Sequence, residues 1–293
     1  MPRVAVVIPT YNQAAFLKEA LASVRAQTMA DWEAIVVNNF SDDDTREVAL
    51  SFADPRITLV DFANQGVIAA SRNLGIARAT AEWVAFLDSD DLWDPAKLES
   101  CLAAAADADL VSHPEHLLKD GRILGRTATA DAARTGFAAL LLDGNCLSPS
   151  AVLARKAVLD RAGGFCVDPE VVTAEDHDLW LRLARMGVRT AVVDRPLGSY
   201  RLHGAQNSKS VERHMAASLA VLARHYPALR PPAPLAYRRA RARIVYSAGR
   251  TLQKAGRHRQ ALAAFARAAA QWPFMARLGV GAALSLAGLA RGR

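Results

Sequence analysis

The 293-residue sequence predicts an α/β fold, an open and mostly parallel sheet with helices packed on it, followed by a helical extension. Three observations predict it. Apolar runs at Val4 to Ile8, Ala34 to Val37 and Ile57 to Phe62 are each followed by a polar loop and a helix-spaced apolar pattern. A fourth apolar run from Trp83 stops at Asp88-Ser89-Asp90-Asp91, as a buried strand ending in an acidic turn would. Beyond residue 210 the apolar period is helical, with Pro227 to Pro234 marking a boundary within it.

In order, Val4 to Ile8 reads as a strand, Pro9-Thr10-Tyr11-Asn12 as its loop, and Phe16, Leu17, Ala20, Leu21 and Val24 as the inner face of a helix. The second strand opens into Asn38-Asn39-Phe40-Ser41-Asp42-Asp43-Asp44, where Ser41 to Asp44 has capping-box spacing. The third leads through Asn64-Gln65-Gly66 to a helix carrying Ser71-Arg72-Asn73. After the acidic turn, Asp94-Pro95 predicts an N-cap followed by proline at the first helical position. Ligands of open α/β sheets bind beyond the carboxyl ends of the strands, so Asp88, Asp90 and Asp91 are expected at the lip of that crevice. Crowded carboxylates repel unless a cation joins them. Spacing alone leaves two readings open: a site for Mg²⁺ or Mn²⁺ carrying a diphosphate, and a polar turn ahead of a helix.

Composition bounds the function classes. At 52% hydrophobic and 22% charged the chain can bury a large core. Cys101, Cys146 and Cys166 form no C-x-x-C or Cys/His metal spacing, which argues against a disulfide framework or zinc site and for a cytoplasmic setting. Val4 to Ile8 is too brief for a signal-peptide core or a membrane span. The net charge of +7 conceals an asymmetry: residues 201 to 293 hold 17 Lys and Arg against one acid, Glu212, and the remainder holds 19 against 28. Basic tails face nucleic acid or anionic lipid. This one lacks the aromatic interleaving of a nucleic-acid binder, so an anionic membrane surface is the expected partner and nucleic acid is not.

The motifs V-A-V-V-I-P-T-Y-N, V-V-N-N-F-S-D-D-D-T, N-Q-G-V-I-A-A-S-R-N-L-G and F-L-D-S-D-D occur in the order of glycosyltransferase family 2, which the chain resembles from residue 4 to about 205. The resemblance implies the GT-A fold (Rossmann-like, nucleotide-diphosphosugar-binding), a nucleotide-diphosphosugar donor, and a metal held by the acidic motif. It matches Pro9, Thr10 and Tyr11 to the loop lining the nucleotide base, Arg72 to the nucleotide side, Asp88 to the ribose and metal, and Asp90 to direct metal contact. Many relatives carry aspartate at the position of Asn38, Asn39 or both. Asn39 can still accept a hydrogen bond from a base through its amide oxygen.

Further on, Thr173-Ala174-Glu175-Asp176-His177-Asp178-Leu179-Trp180 places acids on the first turn of an amphipathic helix, with Thr173 to Asp176 at N-cap-to-N3 spacing. The resemblance makes Asp176 the catalytic base, although a helix dipole would lower its pKa. It also brings His203, in Tyr200-Arg201-Leu202-His203, to the metal or diphosphate. The implied activity is inverting transfer of a sugar to the hydroxyl of a glycan or lipid-linked acceptor. Nucleotidyl transfer would want a glycine-rich phosphate loop after the first strand, and Pro9-Thr10-Tyr11-Asn12-Gln13 offers none. A non-catalytic relative that binds nucleotide-sugar or membrane is the remaining alternative. The expected division is a catalytic domain over 1–210, with donor and acceptor halves 1–110 and 111–210, and a basic helical extension over 211–293. Within the extension, Gly249, Gly256, Ala261, Phe265, Ala268 and Pro273 fit one tetratricopeptide-like unit, and Leu278, Leu284, Leu286 and Leu289 form an apolar final stretch too short to span a bilayer.

Overall fold

A computed structural model describes residues 1–128, 133–203, 210–275 and 278–291. The chain opens with three βα units: β1 (Val4–Thr10), α1 (Ala14–Arg25), β2 (Trp32–Asn38), α2 (Thr45–Ser51), β3 (Ile57–Asp61) and α3 (Ile68–Arg78). β4 (Trp83–Phe86) runs into the acidic turn, and β5 (Leu92–Trp93), α4 (Lys97–Ala103) and β6 (Leu110–Ser112) follow. The stretch 113–140, which carried no clear sequence pattern, holds a hairpin of β7 (His116–Lys119) and β8 (Arg122–Arg126) and the start of α5 (Phe137–Asp143). Then come β9 (Val152–Arg155), α6 (Lys156–Ala162), α7 (Glu175–Arg185), β10 (Thr190–Val192) and β11 (Gly198–Arg201). Four helices complete the chain: α8 (Val211–His225), α9 (Pro234–Lys254), α10 (His258–Gln271) and α11 (Leu278–Arg291).

The seven-stranded sheet has the order β10-β6-β9-β4-β1-β2-β3. β1 pairs in parallel with β2 on one side and β4 on the other, so chain order reverses between β1 and β4. That is the topological switch point where such sheets open a crevice. β9 enters antiparallel between β4 and β6. A smaller sheet, β5-β11-β7-β8, places β11 antiparallel to β5 just after the acidic turn.

β1 reads as an unbroken apolar run because both its faces are covered. Val4, Val6 and Ile8 pack with α1 residues Leu17, Leu21 and Val24 in one core. Ala5 and Val7 face the opposite core, which holds Ala69 and Ile76 of α3 and Leu179 and Trp180 of α7. That second core continues without a break into the extension, taking in Val221 and Leu222 of α8 and Ala240 of α9. α3 is an unusual inner helix, since its buried face includes Ser71, Arg72 and Gly75. Gly75 is there for close approach: a Cβ would come within 2.3 Å of Val7 Cγ1.

Three helix starts differ from the sequence expectation. α2 begins at Thr45 with no side-chain cap, because Ser41 is spent on the loops beside it. α4 begins at Lys97, and Asp94 Oδ1 accepts the Ala96 N–H in a turn ahead of the helix. α7 begins at Glu175 behind an uncapping Ala174.

Candidate active site

The ends of β1, β2 and β3 are laced together by short polar side chains. Asn12, at φ 50°, donates its N–H to Ser41 Oγ (2.9 Å), and Asn12 Oδ1 accepts the Asp42 N–H (2.8 Å). Asn38 is buried; its Oδ1 takes both the N–H and the hydroxyl of Ser41, and its Nδ2 donates to Asp61 Oδ1 at 2.8 Å. It therefore joins the ends of β2 and β3 and is not presented to solvent. Asn39 Oδ1 accepts the Asn64 N–H at 2.8 Å, so the oxygen expected to serve a base already holds the next loop, leaving one lone pair and the NH₂ donors. Pro9 and Thr10 close β1, and the buried Thr10 Oγ1 has no partner among the described residues. Tyr11 and Phe40, on adjoining loops, are 52% and 59% exposed. Phe40 was not singled out by sequence; its signal is an aromatic residue held at φ 51° beside a strand end.

The acidic turn separates into four different environments. Asp88 Oδ1 accepts from Arg72 Nη2 at 2.7 Å, while its N–H donates to Ser150 Oγ. Ser89 hydrogen-bonds Gln13. Asp90 Oδ2 lies 2.8 Å from His203 Nε2, and His203 stacks at a tilt on Phe16 with ring centroids 4.7 Å apart. Asp91, expected at the lip, is buried beneath it: it accepts from Ser150 Oγ (2.6 Å) and the Arg201 N–H (2.9 Å). Burial, with Glu115 next in effect, holds Asp91 well above the usual carboxylate range. Arg201 fastens the same turn from β11, donating Nε to Asp90 O and Nη2 to Glu19. The local sequence explains the division. After β4 the chain makes a tight turn over Ser89 and Asp90, closed by the Asp91 N–H on Asp88 O at 3.0 Å, which sends Asp91 back under it toward β11.

Arg72 joins this turn to α7. Its guanidinium is buried, with Nη2 on Asp88 and Nη1 on Glu175 Oε1 at 2.9 Å, and it lies 5.3 Å from the Phe165 ring. Burial opposes its charge, but Asp88 and Glu175 more than offset this and raise its pKa. Glu175 Oε2 also accepts the N–H of Thr173, a β-branched residue at φ 84°. Such backbone costs about 1–3 kcal/mol and persists only where its surroundings over-determine it.

Asp176, one residue on, accepts from Asn145 Nδ2 at 2.8 Å. Burial first, and the adjoining Glu175 carboxylate second, push Asp176 up to about 7 against the pull of the His177 N–H and Arg72. The helix dipole was expected to leave it a weak base. Desolvation and a like charge outweigh the dipole here.

Asp88 is thus tied through Arg72 and Glu175 to the helix start that carries Asp176, and Asp90 to His203, while Pro9, Thr10, Tyr11 and Asn39 stand at the ends of β1 and β2, where the Asn39 N–H bonds Thr10 O. Glu175, Asn145, Ser150 and Arg201 are additions of the tertiary structure. Among the described residues no group of three or more His, Cys, Asp or Glu is arranged to hold a metal unaided. Asp90 is nonetheless raised, by burial and then by Asp88, as a carboxylate short of positive charge would be. A donor set of one or two carboxylates and one imidazole fits a hard cation that takes its other ligands from diphosphate and water.

The profile of Glycosyl transferase family 2 matches residues 5–133, and that of Glycosyl transferase family group 2 matches residues 83–272, well over half of the chain. The chain belongs to glycosyltransferase family 2. A glycosyltransferase of Nostoc sp. is 34% identical to it over 224 residues, 71% of this chain and 67% of that protein. The UDP-Glc:alpha-D-GlcNAc-diphosphoundecaprenol beta-1,3-glucosyltransferase WfgD of Escherichia coli is 38% identical over 96 residues, 33% of this chain and 38% of that one. Among solved structures, the mannosyltransferase PcManGT of Pyrobaculum calidifontis, in complex with GDP-Man and Mn²⁺, superposes with a TM-score of 0.64 at 25% identity, covering 97% of this chain and 81% of that one. This family 2 glycosyltransferase has the GT-A fold with a C-terminal helical extension. No helix among its described residues is long and apolar enough to cross a membrane.

Proposed function

We propose that this glycosyltransferase is metal-dependent and inverting, and that it moves a sugar from a nucleoside-diphosphosugar to a hydroxyl of a glycan or lipid-linked acceptor at the cytoplasmic face of a membrane. The observation that carries the reading is the buried chain Asp88–Arg72–Glu175. It couples the acidic turn to the helix that presents Asp176, a carboxyl poised near neutrality. WfgD, whose name specifies a diphosphoundecaprenol acceptor, supports the acceptor class. PcManGT, solved in complex with GDP-Man and Mn²⁺, supports the donor class and the cation.

In this reading Pro9, Thr10, Tyr11 and Asn39 receive the nucleoside, and Asp88 is oriented by Arg72 toward the ribose. Asp90 and His203 would hold Mg²⁺ or Mn²⁺, which when bound supplies electrostatic stabilisation to the departing diphosphate. Asp176 takes the acceptor hydroxyl proton as that oxygen attacks the anomeric carbon from the face opposite the leaving group. The carbon–oxygen bond to the diphosphate breaks, and the nucleoside diphosphate leaves with the electron pair. A base near pH 7 suits this task, because proton transfer is most efficient when the catalytic pKa lies near the operating pH.

The test is a thermal-shift screen of UDP- and GDP-sugars with and without Mn²⁺, because a ligand that binds only the folded state raises its apparent stability. One donor class should raise Tm only with the cation present, and Asp90→Ala should remove that rise. Equal shifts in excess chelator would exclude the metal-held donor.

A further inference from the structure

α11 is packed inside out. Its buried face is a stripe of small residues, Gly281 and Ser285 with Gly288 next in line, at helical spacing. Gln253 of α9 binds that stripe, donating Nε2 to Gly281 O and to Ser285 Oγ, both at 2.7 Å. The approach is close enough that a Cβ on Gly281 would stand 3.0 Å from the Phe265 ring, and one on Gly288 2.3 Å from His258. Apart from Leu278, which packs against the core beside Phe265, the inward residues are small, and the outward side is apolar throughout: exposed Ala283, Ala287 and Ala290 run along it, Val280 and Leu284 (57% and 52% exposed) flank it on one side and Leu286 (58% exposed) on the other, and Phe274, just ahead of the helix, is 81% exposed. The side chain of Leu289 lies outside the described residues.

We infer that this outer face of α11 is a docking surface for an anionic phospholipid membrane. Charge selects the occupant. The contact of Gly288 with His258 sets the end of α11 against the α9–α10 turn, where Lys254 and Arg259 are exposed and have no ion pair among the described residues. The one acid of residues 201–293, Glu212, is taken by Arg257. A broad apolar face with unpaired cations at its end matches an interface of acyl chains beneath anionic headgroups. Fourteen residues of helix reach about 21 Å, too short to span, so α11 would lie in the membrane plane. A second copy on the same face would bring more unpaired cations and no acid to meet them. The inference gives the membrane part of the proposed function a surface, and it rests on that reading for its purpose and not for its geometry.

The experiment is co-sedimentation of the full chain with vesicles of phosphatidylcholine alone or mixed with phosphatidylglycerol. Binding is expected only with phosphatidylglycerol and should weaken as salt rises. Leu284→Glu with Leu286→Glu, and separately Lys254→Gln with Arg259→Gln, should each lower vesicle affinity on the order of tenfold. All four positions are exposed or at the helix surface, so folding is checked by circular dichroism. The nucleotide-sugar thermal shift should be unchanged in both variants, which separates loss of docking from failure of the transfer reading. Equal binding to both vesicle types, or variants that sediment like the parent, would overturn the inference. So would a parent that is dimeric by light scattering, becomes monomeric in the Leu284/Leu286 variant and binds no vesicle.

Discussion

Asp176 illustrates how one side chain acquires its chemistry from neighbours distant in sequence. An aspartate on the first turn of a helix is ordinarily favoured as the anion. In this fold burial and the Glu175 carboxylate reverse that preference and bring it to about 7. Because the base must be ionised to accept a proton, transfer measured at low acceptor concentration should rise with pH through about 7 and level off above it. Asp176→Asn should keep the nucleotide-sugar thermal shift, lower transfer by about 10²-fold or more, and abolish that rising limb. The Asn145 contact can survive the change, so a variant with parental rates would return Asp176 to a structural role at the helix entry. The sequence made Asp176 a candidate through its motif. Glu175, which orients Arg72 and loads Asp176, was legible only as one more acid at a helix start.

Among the elements, α3 shows most directly how packing positions the site. Arg72 reaches both Asp88 and Glu175 because α3 lies against β1 closely enough for Gly75 to touch Val7. Two effects of a Gly75→Ala change oppose one another. Alanine favours a helix by about 1 kcal/mol, whereas forcing a methyl into a filled core costs about 1–3 kcal/mol. Val7 is fully buried and on a central strand, so its side chain has little room to yield and the cost should prevail. Urea unfolding should show a lower midpoint with an unchanged slope. The displaced helix should also weaken the donor-induced thermal shift, since Arg72 moves with it.

Across the whole molecule, the proposed division at residue 210 meets a core that does not stop there. Val221 and Leu222 of α8 and Ala240 of α9 belong to the same apolar cluster as β1, α3 and α7. Buried His225 of α8 hydrogen-bonds Asp178 of α7 at 2.8 Å, and Arg224 bonds Asp168 at 2.5 Å. Elements sharing one core unfold together, so calorimetry of the full chain should give a single transition, with a ratio of van't Hoff to calorimetric enthalpy of about 1. Two resolved transitions would show that the extension is an independent unit. The charge asymmetry survives this continuity, because net charge governs surface partners and not the packing of the core.

Local pattern alone determined the first four strands, the helices between them and the acidic turn, since apolar period and abrupt polarity changes are properties of neighbouring residues, but it left the β7–β8 hairpin and α5 unread. The order of four motifs carried the family and, by resemblance, the candidate site residues. Tertiary structure decided what depends on residues far apart in sequence. It buried Asp91 under the turn while pairing Asp88 with Arg72 and Asp90 with His203, although all three carboxylates look alike in the chain. It spent Ser41 and Asn38 on joining strand ends where a capping box was expected, because a buried amide must be satisfied before a helix start is optimised. It likewise left Leu284 and Leu286 of α11 exposed by packing glycine and serine inward. Which face of a helix is inner depends on how close its neighbours come, and that distance is set by partners no local window contains.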